Sequence, residues 1–338
     1  MDGLSSVRIL SAFSLDCHCL SLLVTGAGGF LGTTVTESIL ESGGDVICLD
    51  VMDTPKALEW ENIEHIAKKY SRFVSYHQCN VQSDNEVAET FTKFVPTLRF
   101  PIRGLVACAG ISDNGPATEF PGESFSRLLD INVTGTFRIA QAVAREVLRV
   151  SVSASMVFVA SMSGYGVDTA GYNSSKAAVH QLARSLAAEW GSRVGMPLIR
   201  VNSLSPGYIR TAATAEALQK PGMEAQWTGD NMLYRLSTVD EFRAPVIFLL
   251  GDGSSFMTGS DLRCGPFEQK GYILTETNLA GQTLLHVAAG LVSERVSPWF
   301  KFLQAKGLDS VARDKEGKTP IDIAKLNEEF DGPLTLRD

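Results

Sequence analysis

Apolar positions along residues 20–265 follow two different spacings. Some form short continuous runs, which are typical of strands buried on both faces of a sheet, and others recur at helical spacing. The strand-like runs lie at 22–24, 46–50, 73–79, 105–110, 156–160 and 198–204. One helical segment follows the first strand and ends at 42. The others cover 57–69, 84–94, 123–149 and 172–190. Because strands and helices alternate, the pattern predicts an α/β fold with a doubly wound parallel sheet.

Composition and charge narrow the class of protein. The 338 residues are 44% hydrophobic and 20% charged, which is enough apolar material for a full core. A net charge of -8 without a Lys- or Arg-rich run argues against a nucleic-acid partner or an anionic membrane surface. No apolar run approaches the ~18 residues of a membrane span, and residues 1–20 resemble neither a signal peptide nor a transit peptide. We therefore expect a cytoplasmic protein without a membrane partner.

The cysteines favour reduced thiols over disulfides or a metal site. Several fall in apolar strand-like runs, and their spacing is not that of paired metal ligands. The short Cys17-His18-Cys19 cluster has no second cluster to complete a tetrahedral site, so we expect no bound metal. The six cysteines are at positions 17, 19, 48, 79, 108 and 264.

A glycine-rich turn, TGAGGFLG at 25–32, follows the first buried strand and precedes a helical run. Gly26 permits a tight turn, Gly29 permits the close approach of a phosphate, and Gly32 permits close packing of helix against strand. A helix N-terminus at this place offers free N–H groups to a pyrophosphate. The turn thus predicts dinucleotide binding.

Asp50 ends the second strand, where a carboxylate can accept hydrogen bonds from the adenine ribose. The same carboxylate would repel a 2′-phosphate, and no arginine lies beside it in the sequence. We therefore expect NAD as the cofactor, with NADP less favoured.

The segment YNSSK, Tyr172 to Lys176, begins a helical run and carries the main candidate chemistry. Residues four apart share a helix face, so the phenol and the ammonium lie near each other. A phenol has a pKa near 10, and a neighbouring ammonium favours the phenolate, which would bring the pKa into the range of a useful base. The alternative is that the two side chains share a face by chance.

Other polar or small residues stand at the ends of predicted strands. Ser161 follows the fifth buried strand, at the sheet edge where open α/β sheets bind ligands. Asn132, within the helical run 123–149, is either a satisfied core amide or a functional kink. The small residues at 108–110 let the backbone lie against a cofactor, or else form a tight turn.

Taken together, these segments resemble the short-chain dehydrogenase/reductase family, which implies a Rossmann-like fold over about 20–265. The similarity to its fungal sugar- and polyol-active members, such as D-arabinitol dehydrogenase and sorbose reductase, extends to SSFMTGSDLR at 254–263. The matching motifs, in chain order, are TGAGGFLG, CAG at 108–110, DINVTG, VASMSG, YNSSK and SPGYIRT at 205–211.

The resemblance implies a role for each catalytic residue. Tyr172 would be the general acid and base on the substrate oxygen, and Ser161 would hydrogen-bond that oxygen. Lys176 would hold the nicotinamide ribose and lower the Tyr172 pKa, and Asn132 would hold a water that passes protons through Lys176.

The resemblance also implies the set of cofactor contacts. Asn80 would lie beside the adenine, and Thr211 would contact the carboxamide unless it is simply a helix N-cap. The full set is Thr25, Gly26, Gly29, Phe30, Leu31, Gly32, Asp50, Asn80, Val81, Ala109, Gly110, Tyr172, Lys176, Pro206, Gly207, Ile209 and Thr211.

Two segments depart from the family pattern. Only eleven positions separate Ser161 from Tyr172, fewer than is usual in relatives, and this loop shapes the substrate pocket. After SDLR the chain reads RCGPFEQKGYIL in place of the usual final strand and turn, which puts the closure of the last strand in question.

We expect an N-terminal extension at 1–20 and a dehydrogenase domain at 21–268. Residues 269–338 lie beyond what a dehydrogenase of this size requires. GQTLLHVAA and GKTPIDIA repeat here, with Thr283 and Thr319 at equivalent positions 36 residues apart. The repeat resembles ankyrin repeats, which implies a small α-helical tail in which Thr283 and His286 are structural. Because so few repeats seldom bury enough surface to stand alone, we expect the tail to pack on the dehydrogenase, to pair with another chain as a protein partner, or to be poorly ordered. The alternative is an amphipathic extension.

The leading hypothesis is an NAD(P)-dependent oxidoreductase that interconverts a secondary alcohol and a ketone, with a polyol or ketose as substrate. A ketoreductase of a secondary-metabolite pathway is the alternative, since Met223, Trp227, Met232 and Tyr234 form either an apolar lid or a small buried cluster. A nucleotide-binding interaction protein is the hypothesis from another class. The resemblance further implies a homo-oligomer.

Overall fold

Seven parallel strands form one sheet in the order β3-β2-β1-β4-β5-β6-β7. The computed structural model describes residues 20–162, 169–191, 193–231, 233–265, 286 and 311–326. Strand order reverses between β1 and β4, which creates the crevice in which doubly wound sheets bind ligands. The strands are β1 Ser21–Thr25, β2 Asp45–Asp50, β3 Val74–Gln78, β4 Ile102–Ala107, β5 Ala154–Val159, β6 Ile199–Pro206 and β7 Asp261–Cys264. The predicted parallel sheet is confirmed.

Helices cover both faces of this sheet and bury one apolar cluster on each. Phe94 and Phe158 lie in one cluster, and Phe242 lies in the other. The helices of this unit are α1 Phe30–Glu41, α2 Ala57–Lys69, α3 Asp84–Phe94, α4 Gly122–Leu129, α5 Thr136–Val150, α6 Ala170–Trp190, α7 Ala212–Leu218, α8 Met223–Gly229 and α9 Arg243–Leu250. Among the described residues, no helix combines the length and hydrophobicity that crossing a membrane requires.

Periodicity predicts one uniform α-helix over 123–149, but the structure differs from this prediction. Between α4 and α5 the backbone forms a π-helical segment, Asp130–Gly135. A side chain at Gly135 would come within 2.6 Å of the Val81 side chain, so this close contact requires a glycine. The wider turn sets the direction of Asn132, and single π turns are frequent at functional sites.

The last strand closes despite its unusual sequence. β7 pairs in parallel with the end of β6, and Ser203 is in register with Asp261. The chain then bends at Gly265, whose φ of +140° and close approach to Gly207 both exclude a side chain. The question that the RCGPFEQKGYIL segment raised is therefore settled in favour of a paired strand as far as Cys264.

Four of the six cysteines lie among the described residues and are free thiols. Cys48 and Cys79 are buried, whereas Cys108 and Cys264 are half-buried. Cys17 and Cys19 fall outside the described part of the chain.

The chain divides into two units, Met1–Glu268 and Gln269–Asp338. In the second unit, Asp314 Oδ1 accepts hydrogen bonds from the N–H groups of Glu316 and Lys318, and helix α10 spans Pro320–Leu326. His286 is buried, and its Nε2 lies 3.0 Å from the Lys318 carbonyl oxygen. Thr283 and most of the predicted first repeat lie outside the described residues.

Arg200 on β6 fixes the C-terminal end of α9 against the sheet. Its buried guanidinium donates to the carbonyls of Leu249 at 3.1 Å and Gly251 at 3.0 Å. It also donates to the Ser254 carbonyl at 2.9 Å. These carbonyls lie at or beyond the end of the helix, where backbone acceptors lack intrahelical partners and the helix dipole is negative.

We predict that Arg200→Met lowers the free energy of unfolding by about 3 kcal/mol, because several buried acceptors lose their donor. Urea unfolding followed by circular dichroism measures the loss. Arg149→Met is the matched control. Arg149 is exposed and paired with Glu146, and removing such a surface pair costs only about 0.5 kcal/mol. Equal losses in the two variants would contradict the assigned role of Arg200.

Candidate active site

The glycine turn joins β1 to α1 at the carboxyl edge of the sheet. Gly26 has φ of +63°, and a side chain there would come within 2.7 Å of the Ala109 nitrogen. A side chain on Gly32 would come within 2.1 Å of the Gly26 carbonyl oxygen. Both glycines are therefore required, because Gly26 brings the turn against the segment after β4 and Gly32 brings α1 against the turn. The turn presents a helix N-terminus at the edge crevice, an arrangement suited to a phosphate group.

The Asp50 carboxylate lies directly against this turn. Its Oδ2 accepts a hydrogen bond from the Gly28 nitrogen at 2.9 Å, and its Oδ1 accepts one from the Met52 nitrogen at 3.1 Å. Asp50 ends β2 and is half-buried, so the two backbone donors hold the carboxylate at the rim of the crevice. This position matches the acid that the sequence places beside a ribose.

Tyr172 and Lys176 lie one turn apart on α6, as their spacing predicts. The Lys176 Nζ is 5.7 Å from the centre of the Tyr172 ring. Ser161, two residues beyond β5, hydrogen-bonds the Tyr172 phenol through its side chain. The structure thus brings two hydroxyl groups and one ammonium together at the carboxyl edge of the sheet.

The Tyr172 pKa differs from the expectation that Lys176 lowers it. Burial raises this pKa above its ordinary value of 10.0, and the hydrogen bond with Ser161 opposes the rise. The reason lies in the direction of Lys176, whose Nζ donates to the Val159 carbonyl at 2.9 Å. In this arrangement Tyr172 is a protonated phenol at neutral pH.

Lys176 itself is strongly perturbed. The residue is only 6% exposed, and burial lowers the pKa of its ammonium from 10.5 to about 8, with the nearby Cys108 opposing the shift. A buried amine with such a pKa at a sheet edge is typical of a functional site.

The Asn132 amide is fully hydrogen-bonded, and the residue also lies in the π-helical segment. It is therefore both a satisfied core amide and part of a kink. Its Nδ2 donates to the Ile111 carbonyl at 3.0 Å and to the Ser175 Oγ at 2.9 Å, and its Oδ1 accepts from the Ile111 nitrogen at 2.8 Å. Both amide protons are therefore used within the protein. Asn132 fixes the backbone after β4, and its role in holding a water stays a prediction.

The residues around β4 complete this side of the crevice. The Thr25 Oγ1 accepts from the Ala109 nitrogen at 3.2 Å, which ties β1 to the end of β4. A side chain on Gly110 would lie 3.2 Å from Asn132 Oδ1 and 3.4 Å from Lys176 Nζ, so the bare backbone at Gly110 faces the catalytic candidates.

The remaining predicted contacts lie around the same edge. Phe30 and Leu31 lie in the first turn of α1. The Lys56 Nζ is 4.9 Å from the centre of the Phe30 ring, and Leu31 packs against the core. Asn80 follows β3, and its Oδ1 accepts from the Gln82 nitrogen at 3.0 Å. Val81 is buried against Gly135.

Residues 206–211 connect β6 to α7. The Gly207 nitrogen donates to the Cys264 carbonyl at 2.6 Å, which continues the β6–β7 pairing beyond Pro206. Ile209 forms an isolated bridge with Ser237. Thr211 is the N-cap of α7 and forms a capping box with Thr214, which is the structural alternative for this residue.

Two neighbours of the site were missed at the sequence level. His180 lies one further turn along α6, and its Nε2 is 3.2 Å from the Ser161 carbonyl oxygen. The spacing of Tyr172, Lys176 and His180 places all three on one helix face and could have revealed it. Tyr208 stacks on Trp227 with ring centres 4.5 Å apart and an interplanar angle of 5°.

The described members of the predicted apolar lid or cluster are not fully buried. Trp227 and Met223 are half-buried, and Tyr234 is 57% exposed with a φ of +50°. Met232 lies outside the described residues, as does most of the loop between Ser161 and Tyr172, at 163–168.

Comparisons with known proteins identify relatives of similar sequence and similar fold. A family model described as enoyl-(acyl carrier protein) reductase matches residues 26–264. A protein from Aspergillus versicolor named short chain dehydrogenases/reductase notP' is 65% identical over 266 residues, 78% of this chain and 90% of the relative. D-arabinitol 2-dehydrogenase [ribulose-forming] from Candida tropicalis is 31% identical and covers 75% of this chain and 93% of the relative. The crystal structure of an NAD⁺-bound xylitol dehydrogenase superposes with a TM-score of 0.66 at 29% identity, covering 74% and 98% of the two chains.

We predict that Lys176→Met raises the free energy of unfolding at pH 7 by about 2 kcal/mol. Lowering the pKa from 10.5 to about 8 costs the fold about 3 kcal/mol, and the lost hydrogen bond to Val159 offsets about 1 kcal/mol of the gain. The unfolded chain keeps the Lys176 proton up to about pH 10.5, whereas the folded chain loses it near pH 8, so stability rises with pH between these values.

The gain in Lys176→Met should therefore shrink as the pH rises from 7 to 9.5. Urea unfolding at several pH values measures it. Lys93→Met, which changes an exposed lysine on α3, serves as the control and should show no such trend. A gain that is constant with pH would contradict the burial of a charged Lys176.

Proposed function

The chain belongs to the short-chain dehydrogenase/reductase family, and on that premise we propose that it interconverts a secondary alcohol and a ketone with NAD(H), with a polyol or ketose as the leading substrate. Family membership makes it an oxidoreductase that acts on alcohols and ketones. The observation that carries the proposal is the hydrogen-bonded pair of Tyr172 and Ser161 beside the buried Lys176. The similarity to D-arabinitol and xylitol dehydrogenases supports the substrate class.

The crevice fits a dinucleotide. Close packing at Gly26 and Gly32 brings the glycine turn against α1 and the segment after β4, and the backbone of Gly110 lies near Lys176. The N-terminus of α1 would hold the pyrophosphate, Asp50 the adenine ribose and Lys176 the second ribose. When bound, the cofactor supplies or accepts the hydride.

Tyr172 handles the proton in this proposal. Its raised pKa keeps the phenol protonated at neutral pH, so it can donate to a ketone oxygen as a general acid. Ser161 holds the same oxygen through its hydroxyl and fixes the distance to Tyr172. Lys176 carries positive charge below its pKa of about 8, and it would hold the second ribose beside Tyr172.

We predict that Tyr172→Phe lowers kcat roughly a thousandfold, within the range for loss of a general acid, while cofactor binding is kept. Absorbance of the reduced nicotinamide, with a panel of polyols, ketoses and bulky apolar ketones, measures turnover in both directions. Alcohol oxidation should rise with pH, because it needs the phenolate and the Tyr172 pKa is raised, whereas ketone reduction should not rise.

Tyr70→Phe is the control for this experiment, since Tyr70 is an exposed residue after α2. It should retain the kcat of the parent. Unchanged turnover in Tyr172→Phe would contradict the assignment of Tyr172 as the general acid. If the parent binds neither NAD nor NADP, the interaction-protein hypothesis takes its place.

We predict that Asp50→Ser reduces discrimination against NADP at least about tenfold, because a carboxylate a few ångströms from a 2′-phosphate repels it. Asp53→Asn removes one negative charge nearby, yet Asp53 is exposed and bonds only Thr54 among the described contacts. The ratio of kcat/KM for the two cofactors measures the effect. An unchanged ratio in Asp50→Ser, or an equal change in Asp53→Asn, would rule out Asp50 as the selector.

A second candidate, a ketoreductase for a larger apolar ketone, is favoured by one observation. Tyr208 stacks in parallel on Trp227, one of the residues for which the sequence leaves an apolar lid as an alternative. Arg210 pairs with Glu224 beside them and links the segment 206–211 to α8. Such a flat aromatic surface suits a cyclic or planar substrate, and turnover of only the bulky ketones in the same panel would select this candidate.

We also propose that the tail is ankyrin-like and that the protein is a homo-oligomer. The tail is supported by the contact between buried His286 and the Lys318 carbonyl, which joins the two predicted repeats. The oligomer is supported by three apolar side chains on α4 and α5, which are 37–40% exposed: Phe125, Phe137 and Leu148.

A further inference from the structure

A cluster of four polar side chains contacts the backbone of Ser161 through His180. His180 projects from α6, Ser203 and Ser205 from β6, and Asp261 from the first position of β7. None of these four side chains is a reacting group in the proposed function. The cluster therefore needs an explanation of its own.

The imidazole of His180 bridges Ser161 and Asp261. Its Nε2 lies 3.2 Å from the Ser161 carbonyl oxygen, and its Nδ1 lies 3.2 Å from Ser203 Oγ and 3.4 Å from Asp261 Oδ1. Asp261 Oδ1 also accepts the hydroxyl of Ser203 at 2.7 Å and that of Ser205 at 2.8 Å. The short serine contacts are typical of hydroxyls that donate to an ionised carboxylate.

The available protons bear on which contacts of His180 can be hydrogen bonds. A hydroxyl has one proton, and both serine protons are directed at Asp261, so neither serine can donate to His180. The Ser161 carbonyl has no proton. Burial raises the Asp261 pKa, but the hydrogen bonds from His180, Ser203 and Ser205 outweigh it and the net pKa is lowered, so Asp261 is ionised. Nδ1 of His180 then faces Ser203 Oγ and Asp261, and Nε2 faces the Ser161 carbonyl and, at 3.4 Å, Ser205 Oγ.

The pair is sheltered from solvent. The side chain of His180 is 21% exposed and that of Asp261 is 9% exposed. Among the described contacts, the only other charged group on Asp261 is Arg263, whose Nε lies 3.3 Å from Oδ2 and whose side chain is 63% exposed. A sheltered carboxylate with two serine donors is a suitable partner for an imidazolium.

We propose that His180, held as an imidazolium by Asp261, is a positioning residue that fixes the Ser161 backbone and thereby places the Ser161 hydroxyl against Tyr172. This inference rests on the proposed function of Ser161 and Tyr172. Because the carbonyl and the hydroxyl belong to the same residue, a shift of the Ser161 backbone moves the hydroxyl directly. A misplacement of about 1 Å in such a group costs up to about a hundredfold in rate.

The first test is spectroscopic and does not depend on turnover. In the full-length protein labelled with ¹⁵N-histidine at pH 7.5, both ring nitrogens of His180 should have imidazolium chemical shifts, and Asp261→Asn should convert the ring to a neutral tautomer. His77 is the internal reference, because burial lowers its pKa and its Nε2 faces only Ser75 Oγ, at 3.1 Å. The resonance is assigned by its loss in His180→Gln. A neutral His180 in the parent would overturn the proposal.

The second test is kinetic. Asp261→Asn and His180→Gln should each lower kcat about tenfold to a hundredfold and leave the Kd for NAD unchanged. Asp261→Asn keeps the shape of the side chain, so it tests the proposal even if His180→Gln fails to fold. His77→Gln is the matched control and should keep the parent kcat.

An imidazolium at His180 together with an unchanged kcat in Asp261→Asn would overturn the positioning role. Failure of the proposed function has a different signature, since it is seen as turnover that survives in Tyr172→Phe. The chemical shifts of His180 report its protonation in either case.

Discussion

The buried ammonium of Lys176 is the constraint on which the rest of the site depends. It lies in the interior beside Cys108, and its one described hydrogen bond is to the Val159 carbonyl at 2.9 Å. Removing a charge from water costs stability, so the surrounding fold must hold it in place. The sheet edge does so by packing α6 across β5 and β6. Tyr172 and His180 then lie one turn to either side of Lys176, next to Ser161.

The π turn at Asp130–Gly135 serves the same edge from the other direction. A regular α-helix would continue from α4 into α5 with a different rotation of Asn132. The wider turn allows Asn132 to bond the backbone of Ile111 and the Ser175 hydroxyl, which joins α6 to the segment after β4. Local irregularity at this place is thus compensated by three side-chain hydrogen bonds, as is common where a fold builds a functional site.

Much of the architecture could be read from periodicity. Helices α2 and α3 occupy the predicted ranges 57–69 and 84–94, because amphipathic spacing and clear ends coincide there. The glycine turn and Asp50 also lie where strand order and spacing place them, since parallel strands all end at one edge. Periodicity does not distinguish an α turn from a π turn, so the break inside 123–149 was not foreseen. Nor did it show that β7 would pair, which depends on contacts with β6.

The sequence by itself determined the α/β class and which residues end the strands, because these follow from local spacing and strand direction. Its motifs carried the resemblance to the family. Tertiary structure decided the electrostatics. Lys176 turns to the Val159 carbonyl, burial raises the Tyr172 pKa, and Asn132 is bonded within the protein. It also brought His180 to Asp261, 81 positions further along the chain. Desolvation and long-range hydrogen bonds depend on which surfaces meet, and no local pattern encodes that.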